Sequence, residues 1–84
     1  MIKYDRLWET MKSKGITKYQ LINDYSISKA LIHKLMYNKV VSMYTINKLC
    51  NILSCRIEDI ATFEPDEDFK HIIKDKDKDK NNEK

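Results

Sequence analysis

Glycine and proline are almost absent from this chain of 84 residues, Gly15 and Pro65 being the only ones. That scarcity, with no run of alternating β-branched residues, excludes a turn-rich β-sandwich or barrel and leaves an all α protein with short connections. Cysteine is nearly as rare. Cys50 and Cys55 lack the paired spacings of zinc sites, so neither a disulfide scaffold nor a metal cluster is indicated, and both read as reduced, buried small hydrophobes. No segment approaches the roughly 20 apolar residues of a membrane-spanning helix. The opening MIKYDRLWETMK is too charged for a signal-peptide core, so a cytoplasmic protein with no membrane partner is expected.

Length sets a further bound: the chain has room for one small domain, and a large enclosed substrate cavity is not expected. No nucleophile has a plausible base beside it, no pair of carboxylates shares a buried face, and there is no glycine-rich phosphate loop. The residues therefore point to neither an enzyme nor a cofactor. The formal charge of +3 hides an asymmetry. Residues 1–63 carry ten Lys/Arg against five Asp/Glu, a balance of +5, whereas residues 64–84 carry six against eight, a balance of −2. The part expected to fold is the basic part, which is compatible with a polyanionic partner without requiring one.

What is present is helical periodicity. Tyr4, Leu7, Trp8 and Met11 fall at helical spacing, and Gly15 suits a left-handed cap at the end of the helix they imply. Thr17 and Gln20 form a Thr-x-x-Gln capping box that opens a second, short helix through Leu21 and Ile22, ending near Asp24 or Tyr25. Ser28 offers an N-cap for a third helix through about Tyr37, closed by Asn38 in the αL conformation. Ser42 caps a fourth helix whose inward face is Met43, Ile46, Leu49, Cys50 and Leu53, while Ile57 and Ile60 mark a short fifth helix. Arg56, at the cap position of that fifth helix, has no side chain able to serve. Met36, Val40 and Val41 suit either an exposed apolar patch, hence a protein contact, or a fold under the fourth helix, and the latter is expected.

Past Phe63 the character changes. EPDED holds the only proline, and DKDKDKNNEK alternates opposite charges with no apolar residue, the composition of a disordered tail. The division expected is a domain at 1–63, then 64–84 as a short amphipathic segment and a disordered charged tail. Phe69, Ile72 and Ile73 in DFKHIIK suit one amphipathic turn or two, either packed on the domain or offered to a protein partner through 66–74.

The third helix has two faces. At about 100° per residue, Lys29, Ala30, His33, Lys34 and Tyr37 fall within an arc of about 140°, and Leu31, Ile32 and Leu35 lie opposite. Residues that bury the helix are thus separate from residues free to touch a ligand. A short helix, a three- or four-residue turn and a second helix within an all-helical domain supply the context.

The segment ITKYQLINDYSISKALIHKLMYNK, followed by VVSMYTINKLCNILSCRIEDI, resembles the helix-turn-helix domain of the Xre family, the phage repressor and Cro type, over about residues 4–61. The likeness rests on Thr17-x-x-Gln20-Leu21, the Ile27-Ser28 turn exit, the Ile32 and Leu35 core pair, and Leu49-Cys50-x-x-Leu53-x-x-x-Ile57-x-x-Ile60. Ser26 stands where the family usually has a turn glycine, and Met36 where it often has a charged residue. The resemblance implies a compact five-helix bundle whose third helix enters the major groove of double-stranded DNA. It implies a sequence-specific transcriptional regulator, a repressor acting by occupancy, associated with the nucleoid.

On that reading Lys29, Ala30, His33 and Lys34 face base edges, with Lys34 further round toward the backbone. Thr17, Gln20, Ser28, Tyr37, Lys39, Tyr44 and Thr45 are placed to hold phosphates. The face lacks Arg, Asn and Gln, so discrimination by one domain is expected to be modest. A homodimer on half-sites about one helical turn apart, roughly 34 Å, is the usual remedy. The alternative keeps the fold and makes it a protein-interaction module, an antitoxin-like or scaffolding partner.

Overall fold

The structure, a computed structural model, describes residues 1–66. Four helices carry the domain: α1 (Asp5–Lys14), α2 (Lys18–Asp24), α3 (Lys29–Met36) and α4 (Met43–Leu53). Three of them begin where a side chain accepts an open amide, and α1 begins with a favourable charge. In α1, Asp5 sits in the first turn with Lys12 and Lys14 in the last, signs that complement the helix dipole. The α2 box is reciprocal, the Thr17 amide donating to Gln20 Oε1 at 2.8 Å and the Gln20 amide to Thr17 Oγ1 at 3.1 Å. Ser28 Oγ accepts from the Leu31 amide at 3.1 Å, and Ser42 Oγ from the Thr45 amide at 3.2 Å.

The helix ends are just as local. Gly15, Ser26, Asn38 and Ser54 all take positive φ, so three of four left-handed stops use residues other than glycine. Behind Asn38 the amide of Lys39 donates to the Lys34 carbonyl at 2.8 Å and that of Asn38 to the Leu35 carbonyl at 3.4 Å, the pair of bonds that closes a Schellman end. At Ser26 (φ 58°) the chain turns between α2 and α3, and Ile27 is driven into the core while its amide donates to the Leu21 carbonyl at 3.0 Å. A side chain at this turn costs on the order of 1 kcal/mol in backbone strain that glycine would not.

Two expectations are corrected. The fifth helix is a single 3₁₀ turn, Ile57–Asp59, so the described residues form four α-helices. Ser54 halts α4, and too few residues follow before the chain extends for an α-helix to repay its nucleation. The missing cap at Arg56 is replaced from the other side: Asp59 Oδ2 accepts the Arg56 amide at 3.1 Å. Nor is the domain wholly helical. Strands β1 (Ile2–Lys3) and β2 (Thr62–Phe63) pair antiparallel, Ile2 opposite Phe63 and Lys3 opposite Thr62. The pairing runs on as the Glu64 amide donates to the Met1 carbonyl at 2.8 Å, Lys3 Nζ meets Glu64 Oε1 at 3.2 Å, and the Met1 amine contacts the Asp66 carboxylate.

The core is Tyr4, Leu7, Met11, Leu21, Ile27, Ile32, Leu35, Ile46, Leu49, Leu53 and Ile60, with no buried polar or charged residue among the described ones. Every helix and the 3₁₀ exit contribute, each side chain stabilising by roughly 1.5–3 kcal/mol on burial. Cys50 and Cys55 border this core half-buried, with free thiols, so they are less enclosed than expected. Trp8 is also half-buried, its ring covered by the Lys18 ammonium at 4.7 Å. Val41 does pack on the core, but Met36 and Val40 do not fold under α4 and stand 45% and 89% exposed. Among the described residues no helix is long and apolar enough to cross a membrane. From residue 67 onward the expected amphipathic segment and charged tail lie outside the described residues.

Candidate nucleic-acid interface

Ile32 and Leu35 anchor α3 to the core, and Leu31 adds a half-buried contact. On the opposite arc Lys29, Ala30, His33, Lys34 and Tyr37 are all exposed, as the helical periodicity requires. None of Lys29, Lys34 or Lys39 is in an ion pair with a described residue. His33 and Tyr37, one turn apart, pack ring against ring with centroids 4.5 Å apart and planes tilted by 43°. The imidazole is therefore held against a neighbour that was singled out separately as a phosphate contact.

The electrostatics of the surroundings are one-sided. Between Asp24 and Glu58 the chain carries Lys29, Lys34, Lys39, Lys48 and Arg56 and no Asp or Glu. Whereas α1 has Asp5 in its first turn, the first turns of α2, α3 and α4 have no acid, so no side-chain charge offsets the positive ends of those dipoles. This run of uncompensated charge was legible in the sequence and is a stronger signal than any single lysine.

The expected phosphate contacts divide into two groups. Lys39, Tyr37 and Tyr44 are exposed, the two tyrosines by 59% and 75%. Thr17, Gln20 and Ser28 are at the protein surface but also cap helices. The Gln20 carboxamide oxygen is taken by the Thr17 amide, which leaves its NH₂ as the group able to face an anion, and Ser28 Oγ accepts from Leu31 while its O–H stays a donor. Thr45 is half-buried with its hydroxyl 3.2 Å from Ser42 Oγ, and the more exposed hydroxyl of the two is that of Ser42, which the sequence reading treated only as a cap.

Asn38 was also undervalued. Its Oδ1 accepts the Tyr4 amide at 2.9 Å, and the Tyr4 hydroxyl donates to the Lys39 carbonyl at 3.3 Å. These two bonds tie the end of α3 to the start of α1 and hold the Lys39 backbone in place.

The model of the Cro/C1-type helix-turn-helix DNA-binding domain matches residues 6–66. The chain belongs to that family. Among solved structures, the crystal structure of the transcriptional regulator VanUg superposes with a TM-score of 0.70 at 28% identity, covering 77% of this chain and 87% of that one. No curated protein sequence matches. The α2-turn-α3 unit with its exposed cationic arc is the part of the Cro/C1-type domain that gives the family its helix-turn-helix.

Proposed function

We propose that the chain is a sequence-specific transcriptional regulator of the Cro/C1 type, a repressor that blocks a promoter by occupying it and reads the major groove with α3. The observation that carries this is the arc Lys29, Ala30, His33 and Lys34, presented outward by a helix whose other side is core, in a stretch with no acidic residue. Lys29 donates to guanine O6 and N7, Ala30 admits close approach or meets a thymine methyl, and His33 donates to guanine N7. Lys34 lies nearer the sugar-phosphate backbone. Thr17, Gln20, Ser28, Tyr37, Lys39, Tyr44 and Thr45 fix register on phosphates, with Thr45 the least accessible and Ser42 beside it. Two such domains pair on a palindromic site, which supplies the discrimination that one short face lacks.

Selection of bound sequences from a random DNA pool tests the proposal, and an enriched palindrome is the expected result. Lys29→Ala and His33→Ala are each expected to relax preference at one base pair, by about 1–3 kcal/mol of discrimination. No enrichment, together with no mobility shift at low salt, would rule the function out. A second reading, a protein-interaction module such as an antitoxin-like or scaffolding partner, is favoured by the exposure of Val40 and Met36. It would show itself as one stoichiometric partner bound with an affinity indifferent to salt and to DNA.

A further inference from the structure

The side-chain oxygens that cap α2 and α3 are engaged inside the protein. Thr17 Oγ1 accepts the Gln20 amide at 3.1 Å, and Gln20 Oε1 accepts the Thr17 amide at 2.8 Å. Ser28 Oγ accepts the Leu31 amide at 3.1 Å, and at the far end of α3 Asn38 Oδ1 accepts the Tyr4 amide at 2.9 Å. What a carboxamide or hydroxyl bound in this way has left for a ligand is chiefly its N–H or O–H, a donor. Carboxylates, which only accept, are missing as well, since none occurs between Asp24 and Glu58.

The outward side of α3 repeats the bias. Lys29, Ala30, His33 and Lys34 are exposed on it, and at about 100° per residue Met36, 45% exposed, falls about 20° from Lys29 on the same side. The two ammonium groups donate and never accept, Ala30 and Met36 present apolar surface, and the imidazole keeps at least one N–H in every protonation state. One ring nitrogen of a neutral His33 is the only strong acceptor among the α3 side chains. The helix therefore meets a ligand with donors and apolar groups.

Major-groove chemistry sorts the four bases against such a face. Guanine shows two adjacent acceptors, N7 and O6, and thymine shows O4 beside its methyl. Adenine sets the N6 amino group next to N7, and cytosine shows the N4 amino group. An ammonium brought to adenine faces N–H bonds directed at its own, and the cytosine amino group finds no oxygen to donate to. A donor that loses its water and meets another donor is left unpaired, and this penalty rejects the wrong base more sharply than a good contact selects the right one.

We infer, on the footing that α3 enters the major groove, that its half-site carries the keto bases guanine and thymine on the strand that Lys29 approaches. Lys29 takes a guanine, and Ala30 and Met36 on either side of it take thymine methyls. Adenine and cytosine at these pairs fall on the complementary strand.

The test uses the full chain and sites enriched from a random DNA pool. The pair that Lys29 reads is the one at which Lys29→Ala relaxes preference, and a G·C pair is expected there. 7-Deazaguanine in place of that guanine removes the N7 acceptor and keeps Watson–Crick pairing. It is expected to weaken binding of the unsubstituted protein by roughly tenfold and that of Lys29→Ala not at all. Lys29→Gln, which sets an acceptor beside a donor at an exposed position, is expected to shift the preference at this pair from guanine to adenine. Deoxyuridine in place of the neighbouring thymidines, which deletes their methyls alone, is expected to weaken binding a few-fold. An A·T pair at the Lys29 position, a guanine there whose 7-deaza replacement costs nothing, or a Lys29→Ala protein that keeps every preference would overturn the inference and leave a sequence-specific regulator standing. No enriched site at all would remove both.

Discussion

Replacing Lys39 by Ala removes a charge and very little else. The Lys39 amide donates to the Lys34 carbonyl at 2.8 Å and its carbonyl accepts the Tyr4 hydroxyl at 3.3 Å, and both bonds belong to the backbone. The side chain is exposed and is in no ion pair with a described residue, so folding stability is expected to stay within about 0.5 kcal/mol of the unsubstituted protein. If the ammonium sits at a phosphate, its loss removes one contact and reduces the slope of log affinity against log salt by about 0.9. Between 50 and 200 mM salt, a fourfold change, the affinity penalty of the substitution then shrinks by a factor of about 3.5. The penalty is expected to be the same for every DNA sequence, because a phosphate carries no base identity. Fluorescence anisotropy at several salt concentrations, with a selected and a scrambled duplex, measures both quantities, and Lys12→Ala on α1 serves as a control with unchanged slope. A Lys39→Ala slope equal to that of the unsubstituted protein, or a loss confined to one duplex, would refute the placement of Lys39 at the backbone.

Three further outcomes concern the fold. Ser26→Gly relieves the side-chain strain at φ 58° and is expected to stabilise by roughly 0.5–1 kcal/mol, raising Tm by a few degrees; a lower Tm would mean that the turn is not strained. Asn38→Ala both forces alanine into αL and strips the buried Tyr4 amide of its acceptor, for a loss of roughly 2–4 kcal/mol. Asn38→Gly should recover about 1 kcal/mol of that in urea titrations, the part due to conformation. Burial pushes the Tyr4 phenol up, and burial first, then the neighbouring Cys50 and Asp59, pushes the Cys55 thiol up. Both groups hold protons in the folded state that the unfolded chain has released, so their contribution is intact below the unfolded values. It declines as pH climbs through about 9 to 10 and beyond. Urea midpoints should fall between pH 7.5 and 10.5, and less steeply in Cys55→Ser; a rising midpoint would contradict the sign.

Helices α1 to α4 were legible because their limits are written in neighbouring residues. Thr17 with Gln20, Ser28 and Ser42 are caps that work within one turn, and Gly15 and Asn38 are stops that work through a single φ. The 3₁₀ turn was not legible as such, because Ile57 and Ile60 are compatible with either helix type and the choice depends on where Ser54 ends α4. The β1–β2 pair was invisible for a different reason. Two residues at each end, about sixty positions apart, have no periodicity to read, and their pairing follows from how α1 and the 3₁₀ turn bring the ends together, with Thr10 Oγ1 donating to the Asp59 carbonyl at 2.7 Å. On the candidate face, exposure followed directly from the wheel. The His33–Tyr37 packing and the Tyr4–Asn38 bond did not, since one depends on rotamers and the other on a contact 34 positions apart in the chain.

That division bears on which residues can report on DNA at all. Lys29, Lys34 and Lys39 contribute nothing to the core and make no side-chain hydrogen bond to a described residue, so an affinity change at any of them speaks about the ligand, whereas His33 also supports the Tyr37 ring. Thr17, Gln20 and Ser28 are different, because the side chains proposed to face DNA already satisfy amides that begin α2 and α3. Removing such a cap costs typically about 1 kcal/mol and loosens the first turn of the helix. At α3 that turn is the one that presents Lys29 and Ala30, so a weakened complex in a Ser28 variant conflates a lost contact with a displaced reader. The face and the frame meet at the helix N-termini, and the residues that merge the two roles are those for which stability and affinity have to be measured on the same variant.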